Sequence, residues 1–195
     1  MSGAAGDWLH RALFPAMWFG WAGYWWLSSH DVKATARRES VLSRWLHFGP
    51  LMIAMLLLWQ QHLPTSWLTR RFLPPGELAF RAGAAVTAAS LLFTVWARRH
   101  LGRNWSAAVT LKQGHELVTT GPYAFVRHPI YTGLLFAFAG SALAVGEWRG
   151  VLALAIALAS LWRKLRLEER WMRERFGPAY DDYARRVKAL IPFIL

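Results

Sequence analysis

The residues best suited to chemistry lie in two places: residues 115–133, HELVTTGPYAFVRHPIYTG, and the adjacent carboxylates Glu168 and Glu169. The first stretch is polar and turn-rich between long apolar runs. Gly121-Pro122 marks a turn. Pro129 drives His128 out of the α region and is suited to open a helix over the uncharged residues 130–146. Arg127 and His128 are therefore expected at the positive N-terminal end of a buried helix, a ready anion site. Glu168 and Glu169 would point about 100° apart on a helix, so at most one aims squarely into a pocket. A site with both charge signs suits a zwitterionic ligand. Arg127, His128 and the helix end would take its carboxylate, and Glu168 its ammonium. Each residue also has a plainer reading, Arg127 as a membrane-flanking cation and Glu168 as an i±4 partner of nearby arginines. Their joint occurrence favours the site.

The elements that must position these groups are apolar helices. The chain has 195 residues, 55% of them hydrophobic, with a formal net charge of +12. That pairing is natural to a membrane bundle with basic cytoplasmic loops. Nucleic-acid binding is disfavoured, because the charges flank apolar runs. Without cysteine there is no disulfide, thiolate nucleophile or cysteine-ligated zinc. The histidines show no H-E-x-x-H spacing, so no metal site is expected.

Residues 12–29, 45–63, 82–97, 130–146 and 150–162 are apolar runs near the length of a membrane span. The first, rich in tryptophan, reads as an uncleaved anchor rather than a signal peptide. Trp45 and Trp59 fit as interfacial anchors of the second, and His47 as an interfacial histidine near its end. The third is rich in small residues, suited to close packing against a helix or another copy; oligomeric state is left open. The last two, separated by Glu147, Trp148 and Arg149, form a tight hairpin. The fifth helix should continue to Gly177-Pro178, followed by a short amphipathic helix over 179–190. Arg11, Arg70, Arg71, Arg81 and Arg149 fall on one side; every other lysine and arginine lies within 28–44, 98–127 or 163–188. The N-terminus is thus expected outside, with the central loop and C-terminus together in the cytoplasm. The expected fold class is an all-α, multi-pass integral membrane protein of about five transmembrane helices.

From about Gly102 onward the chain resembles the isoprenylcysteine carboxyl methyltransferase family and its phospholipid N-methyltransferase relatives. The resemblance is carried by Gly102-Arg103-Asn104-Trp105-Ser106, His115-Glu116-Leu117-Val118, Gly121-Pro122-Tyr123 and Arg127-His128-Pro129-Ile130-Tyr131 with Gly133. Glu168-Glu169, Phe176-Gly177, Tyr180, Tyr183, Val187 and Ile191-Pro192 complete it. The first hundred residues match only as generic membrane helices. The resemblance implies a single domain over 1–195, with three membrane helices in 1–100 and a cofactor-binding core in 101–195. It implies a cytosolic pocket for S-adenosylmethionine, leaving S-adenosylhomocysteine, formed by the loop before helix 4 and the tail helices. His115, Glu116, Leu117 and Val118 would lie against the adenine, Tyr123, His128, Pro129, Ile130 and Tyr131 would close round the cofactor, and Glu168 would reach its methionine portion. Asn104, Trp105 and Lys164 would face the acceptor, a lipophilic molecule or lipid drawn from the membrane, with Arg127 and Glu169 as candidate catalytic groups. Lys164 stands where eukaryotic members carry an arginine, and Ala108 where members present a polar residue.

Methyl transfer from a sulfonium is an in-line displacement that asks chiefly for alignment and a dry pocket. A carboxylate acceptor, the expected type, needs no base; an amine or phenol would draw on Glu169, Tyr131 or His128. The Trp105 ring could hold the sulfonium by cation–π attraction. A membrane reductase using a nicotinamide cofactor, related to sterol reductases, and a non-catalytic membrane scaffold are the alternatives.

Overall fold

The computed structural model describes residues 3–29, 33–60, 67–105, 110–112, 114 and 116–192. Six α-helices account for most of them: α1 Gly3–Ser28, α2 Val41–Trp59, α3 Glu77–Leu101, α4 Pro129–Val145, α5 Trp148–Phe176 and α6 Pro178–Arg186. Two short strands, β1 Thr35–Arg38 and β2 Thr110–Lys112, pair antiparallel with an irregularity between Thr35 and Arg37. Among the described residues, α2 and the stretch Glu77–Asn104 are long and apolar enough to cross a membrane, and α4 is a shorter apolar helix. Leu42, Ile53, Leu56 and Leu92 are exposed on these helices, a surface that hydrocarbon matches and water does not.

Local sequence explains the helix ends. The Ser40 hydroxyl accepts from the Ser43 amide and caps α2. Pro129 occupies the first turn of α4, where its missing N–H costs nothing. Gly146 closes α4 in the left-handed region at φ 65°, and Gly177 turns between α5 and α6 at φ 50°. Arg149, buried, caps α2 from the next hairpin: its Nη1 donates to the carbonyls of Leu57, Leu58 and Gln60 at 2.9, 3.0 and 2.7 Å.

The core is a tight crossing of α3 and α4. A Cβ on Gly83 would lie 2.5 Å from the Gly140 carbonyl oxygen, and one on Gly133 would lie 2.4 Å from Thr94 Cγ2. Gly133, the last residue of the R-H-P-x-Y-x-G pattern, therefore serves helix packing. The third apolar run does use its small residues for close approach, against α4 of the same chain. Trp18 and Trp21 dock α1 by donating to Ser141 Oγ at 3.2 Å and Thr94 Oγ1 at 2.7 Å.

The helices extend beyond the runs expected for the first and third, because α1 begins at Gly3 and α3 covers Glu77 to Leu101. The tail helix is shorter than expected. α6 ends at Arg186 because the backbone after it turns outward to pair with the central loop: the amides of Arg127 and His128 donate to the carbonyls of Lys188 and Ala189 at 2.8 and 3.0 Å. Nothing in the sequence pattern pointed to the β1–β2 ribbon.

Alanine is usually better than glycine in a helix, so the crossing predicts opposite signs at two glycines. Gly20→Ala, in open space, should leave the detergent-solubilised protein as stable or raise its melting temperature slightly. Gly140→Ala should lower it, by an amount corresponding to about 1–3 kcal/mol. Equal responses in a thermal melt would show that the crossing is loose.

Candidate functional site

One end of the bundle concentrates charge. Arg127 donates to Glu169 Oε1 from Nε at 2.9 Å and from Nη2 at 2.5 Å. Its Nη1 donates to the Ala184 carbonyl at 3.1 Å and to the Val187 carbonyl. Arg173 Nη2 donates to the other oxygen of Glu169 at 3.3 Å. His128, just ahead of α4, stands between the two carboxylates, with Nε2 3.3 Å from Glu169 Oε1 and Nδ1 3.6 Å from Glu168 Oε2. The Tyr131 hydroxyl donates to Glu168 Oε1 at 2.5 Å, and its ring stacks on His128 with centroids 5.4 Å apart. Lys164 Nζ lies 5.3 Å from the Tyr131 ring centroid.

The electrostatics follow from this pairing. Burial opposes ionisation of Glu169, but the hydrogen bonds and charges of His128 and Arg127 outweigh it and hold the carboxyl at about 2. Glu168 is likewise held below the ordinary carboxylate range: burial works against it, while His128, Lys164 and Tyr131 prevail. Burial disfavours the His128 imidazolium, yet the two carboxylates raise its pKa. The site therefore carries two carboxylates, a guanidinium and a histidine biased towards its cationic form.

Glu168 and Glu169 divide as their helical angle requires. Glu168 lines a cavity of about 590 Å³, while Glu169 turns to Arg127 and the tail. Asn104, Trp105, Glu116, Leu117, Val118 and Tyr123 line the same cavity, as do Arg127, His128, Pro129, Ile130, Tyr131 and Lys164. His115, together with Ser106 and Ala108 of the resembling segment, lies outside the described residues. Arg127 touches the cavity with its donors already given to Glu169 and the tail. It is held in place rather than poised to take a ligand carboxylate, a departure from the expected charge arrangement. Trp105 is buried with the Arg98 guanidinium 4.4 Å from its ring centroid, so this cation–π contact is already made within the protein.

Some groups were not singled out from the sequence. Trp171 and Met172 line the cavity one turn along α5 from Glu168, a position that helical spacing from Glu168 would have found. Thr110 Oγ1 and Asn104 Oδ1 are buried, face the cavity, and have no hydrogen-bond partner among the described residues. Buried polar atoms are nearly always satisfied, so this pair marks where a ligand would bind. His47 is fully buried rather than interfacial, with Nε2 3.3 Å from Glu39 Oε1. Away from its polar end the cavity is walled by Trp21 and Trp25 of α1 and by Leu51 and Met55 of α2. Among the described residues no group of three or more His, Asp or Glu side chains is placed to hold a metal ion.

The family model described as phospholipid methyltransferase matches residues 78–179, just over half of the chain. A relative from Arabidopsis thaliana, protein-S-isoprenylcysteine O-methyltransferase B, is 30% identical over 99 residues, covering 48% of this chain and 49% of its own. The chain spans about half the length of the curated isoprenylcysteine methyltransferases it matches. The cobalt-zinc-cadmium resistance protein CzcN of Cupriavidus metallidurans is 33% identical over 171 residues, 84% of this chain and 71% of that one. That match extends into the N-terminal helices, where only a generic likeness was expected. A solved structure of the eukaryotic intramembrane Ras methyltransferase ICMT aligns at 27% identity and a TM-score of 0.42, over 78% of this chain and 50% of its own.

The Arg127–Glu169 pair predicts an acid-sensitive contribution to stability. Because the folded carboxyl lies at about 2 against an ordinary 4.5, the contribution is complete above pH 4.5 and disappears as pH falls towards 2. Glu169→Gln should destabilise the protein by on the order of 3 kcal/mol at neutral pH, since it strands a buried guanidinium. The gap from wild type in thermal melts should close as the pH is lowered. A gap that stays constant down to about pH 2 would contradict an ionised Glu169 partner.

Proposed function

The chain belongs to the phospholipid methyltransferase family, and from that premise we propose that it is an integral membrane methyltransferase. In this reading it uses S-adenosylmethionine and acts on the carboxylate of a lipophilic, prenylcysteine-like acceptor. The observation that carries the reading is the cavity itself. Its polar end gathers Glu168, His128, Tyr131 and Lys164, and its other end is walled by tryptophan and aliphatic side chains of α1 and α2. About 590 Å³ suits a cofactor-sized ligand. The unsatisfied Asn104 and Thr110 oxygens fit a ligand rich in donors, as an adenosyl amino acid is.

In this assignment Glu168, held by His128 and Tyr131, takes the ammonium of the cofactor, with Glu116–Val118 and Tyr123 along the adenosyl portion. When bound, S-adenosylmethionine supplies an electrophilic methyl group on a sulfonium centre. The protein's part is placement and exclusion of water. Tyr131 fixes Glu168 through its hydroxyl, and His128 stacks on the Tyr131 ring, so the binding groups are held before the ligand arrives. Lys164 offers a cation to the acceptor carboxylate, which is already ionised and needs no base. The acceptor enters from the bilayer between α1 and α2, where Phe19, Phe48 and Met52 both line the cavity and lie exposed on the helix surface. Five helices, α1 to α5, span the membrane, with the N-terminus outside and the site on the cytoplasmic side. This follows from the concentration of lysine and arginine at the site end of the bundle.

Calorimetry on protein purified in detergent tests the reading. S-adenosylmethionine and S-adenosylhomocysteine should bind, NADPH should not, and Glu168→Gln or His128→Ala should weaken binding by at least about tenfold, as loss of a charge-assisted contact does. Labelled methyl should then pass to an S-prenylcysteine. Binding of NADPH alone would replace the methyltransferase with a reductase. Folded protein that binds none of the three would sink the assignment of Glu168.

A further inference from the structure

The bundle holds a second cavity, of about 250 Å³, at the end away from the site. It lies where the last turns of α2 and α4 meet the first turns of α3 and α5. At a rise of about 1.5 Å per residue along α5, Arg149 here stands about 28 Å from Glu168. Phe14, Trp18, Trp59 and Phe80 bring rings to the wall, and Ser141 and Arg149 are its polar side chains. Ser141 is already engaged: its Oγ accepts from Trp18 Nε1 at 3.2 Å and donates to the Ala137 carbonyl at 2.9 Å.

Arg149 is not fully engaged, although its side chain is only 7% exposed. Nε donates to Glu147 Oε2 at 2.7 Å, and Nη1 serves the three carbonyls at the end of α2. Nη2 makes no hydrogen bond among the described residues. An arginine cannot shed its proton, and a donor this deep is nearly always satisfied. The charge is not fully matched either. Glu147 Oε1 lies 3.8 Å from Arg71 Nη1, so two guanidiniums share one carboxylate and a positive charge remains beside the cavity. Water is a poor occupant, because a buried water needs about two to four polar partners and the side chains offer little besides Nη2. An oxyanion carried on an apolar body answers both the charge and the rings.

We propose that this cavity binds one acidic membrane phospholipid, with its phosphate on Arg149 and the neighbouring chain segment among the aromatic rings. Whole small-molecule ligands take roughly 300–1,000 Å³, so the lipid enters only in part and the remainder stays in the bilayer. The level is right for a headgroup, since the cavity lies at helix ends and Trp59 closes it in the manner of an interfacial tryptophan.

The test titrates the protein, purified in a neutral detergent, with phosphatidylglycerol, phosphatidylcholine of the same chains, and glycerol phosphate. Native mass spectrometry counts bound lipid, and a cooperative thermal melt reports folding whatever the other end of the bundle binds. One phosphatidylglycerol should bind at least about tenfold more tightly than phosphatidylcholine, as a charge-assisted contact requires. Arg149→Gln also removes the cap of α2, so two other variants carry the test. Glu147→Gln frees the guanidinium of its competitor and should tighten phosphatidylglycerol binding about threefold. Val145→Phe fills the cavity with the arginine in place and should abolish the site. Equal binding of the two lipids would overturn the proposal. Phosphatidylglycerol binding that is unchanged in either folded variant would place the lipid on the basic surface at the other end, and overturn it too. Glycerol phosphate bound as tightly as the lipid would make this a free-phosphate site and overturn the lipid assignment.

Discussion

The site depends on a guanidinium that has to be satisfied. Arg127 cannot shed its proton, and its side chain is only 10% exposed. Its charge must be matched inside the protein, and the match comes from Glu169 together with the carbonyls of Ala184 and Val187. Those partners lie on α5 and on the chain around the end of α6. The tail is therefore drawn across the central loop, and the amides of Arg127 and His128 complete the contact by bonding the backbone beyond α6. Once Glu169 is engaged in this way, Glu168 is turned about 100° round the helix and can only face the cavity. One buried ion pair thus fixes which carboxylate serves the ligand.

The same pair explains why the site does not fall apart from its own charge. A buried ion pair contributes little net stability and is strongly destabilising only when one partner is lost. Its value here is geometric. His128 bridges the two carboxylates, Tyr131 is tied to Glu168 and stacked on His128, and each group limits the rotamers of the next. A ligand meets groups whose orientation has been settled by folding, so little ordering is left to be done on binding.

What the sequence made legible follows from how far apart the interacting residues lie. The apolar runs and the breaker at Gly177-Pro178 are local signals, and α1 to α5 fall where they indicated. The carboxylate division was legible too, because adjacent residues on a helix have a fixed angle. Contacts across many residues were not. Glu39 reads as one charge in a basic loop, and only the docking of α2 on α5 reveals it beside His47. Arg127 was given to a ligand because its tail carbonyl partners, about 60 positions away, carry no side-chain signature. The β1–β2 ribbon escaped for the same reason. Its strands are 3 and 4 residues long, and one of them reads Thr-Ala-Arg-Arg with no alternation to announce it.

The lysine at position 164, where the family resemblance leads one to expect an arginine, poses one physical problem. An arginine facing a carboxylate keeps its charge in any surroundings and offers a planar fork that orients itself on the anion. Lysine offers a point charge on a flexible stem, and burial favours its neutral form. A lysine can replace that arginine only if the protein supplies both direction and a counter-charge. α4 gives direction through the face of Tyr131, and Glu168, one turn along α5, gives the counter-charge. The N-terminal helices are nevertheless part of the site, since Trp21 and Trp25 of α1 and Leu51 and Met55 of α2 wall its apolar end.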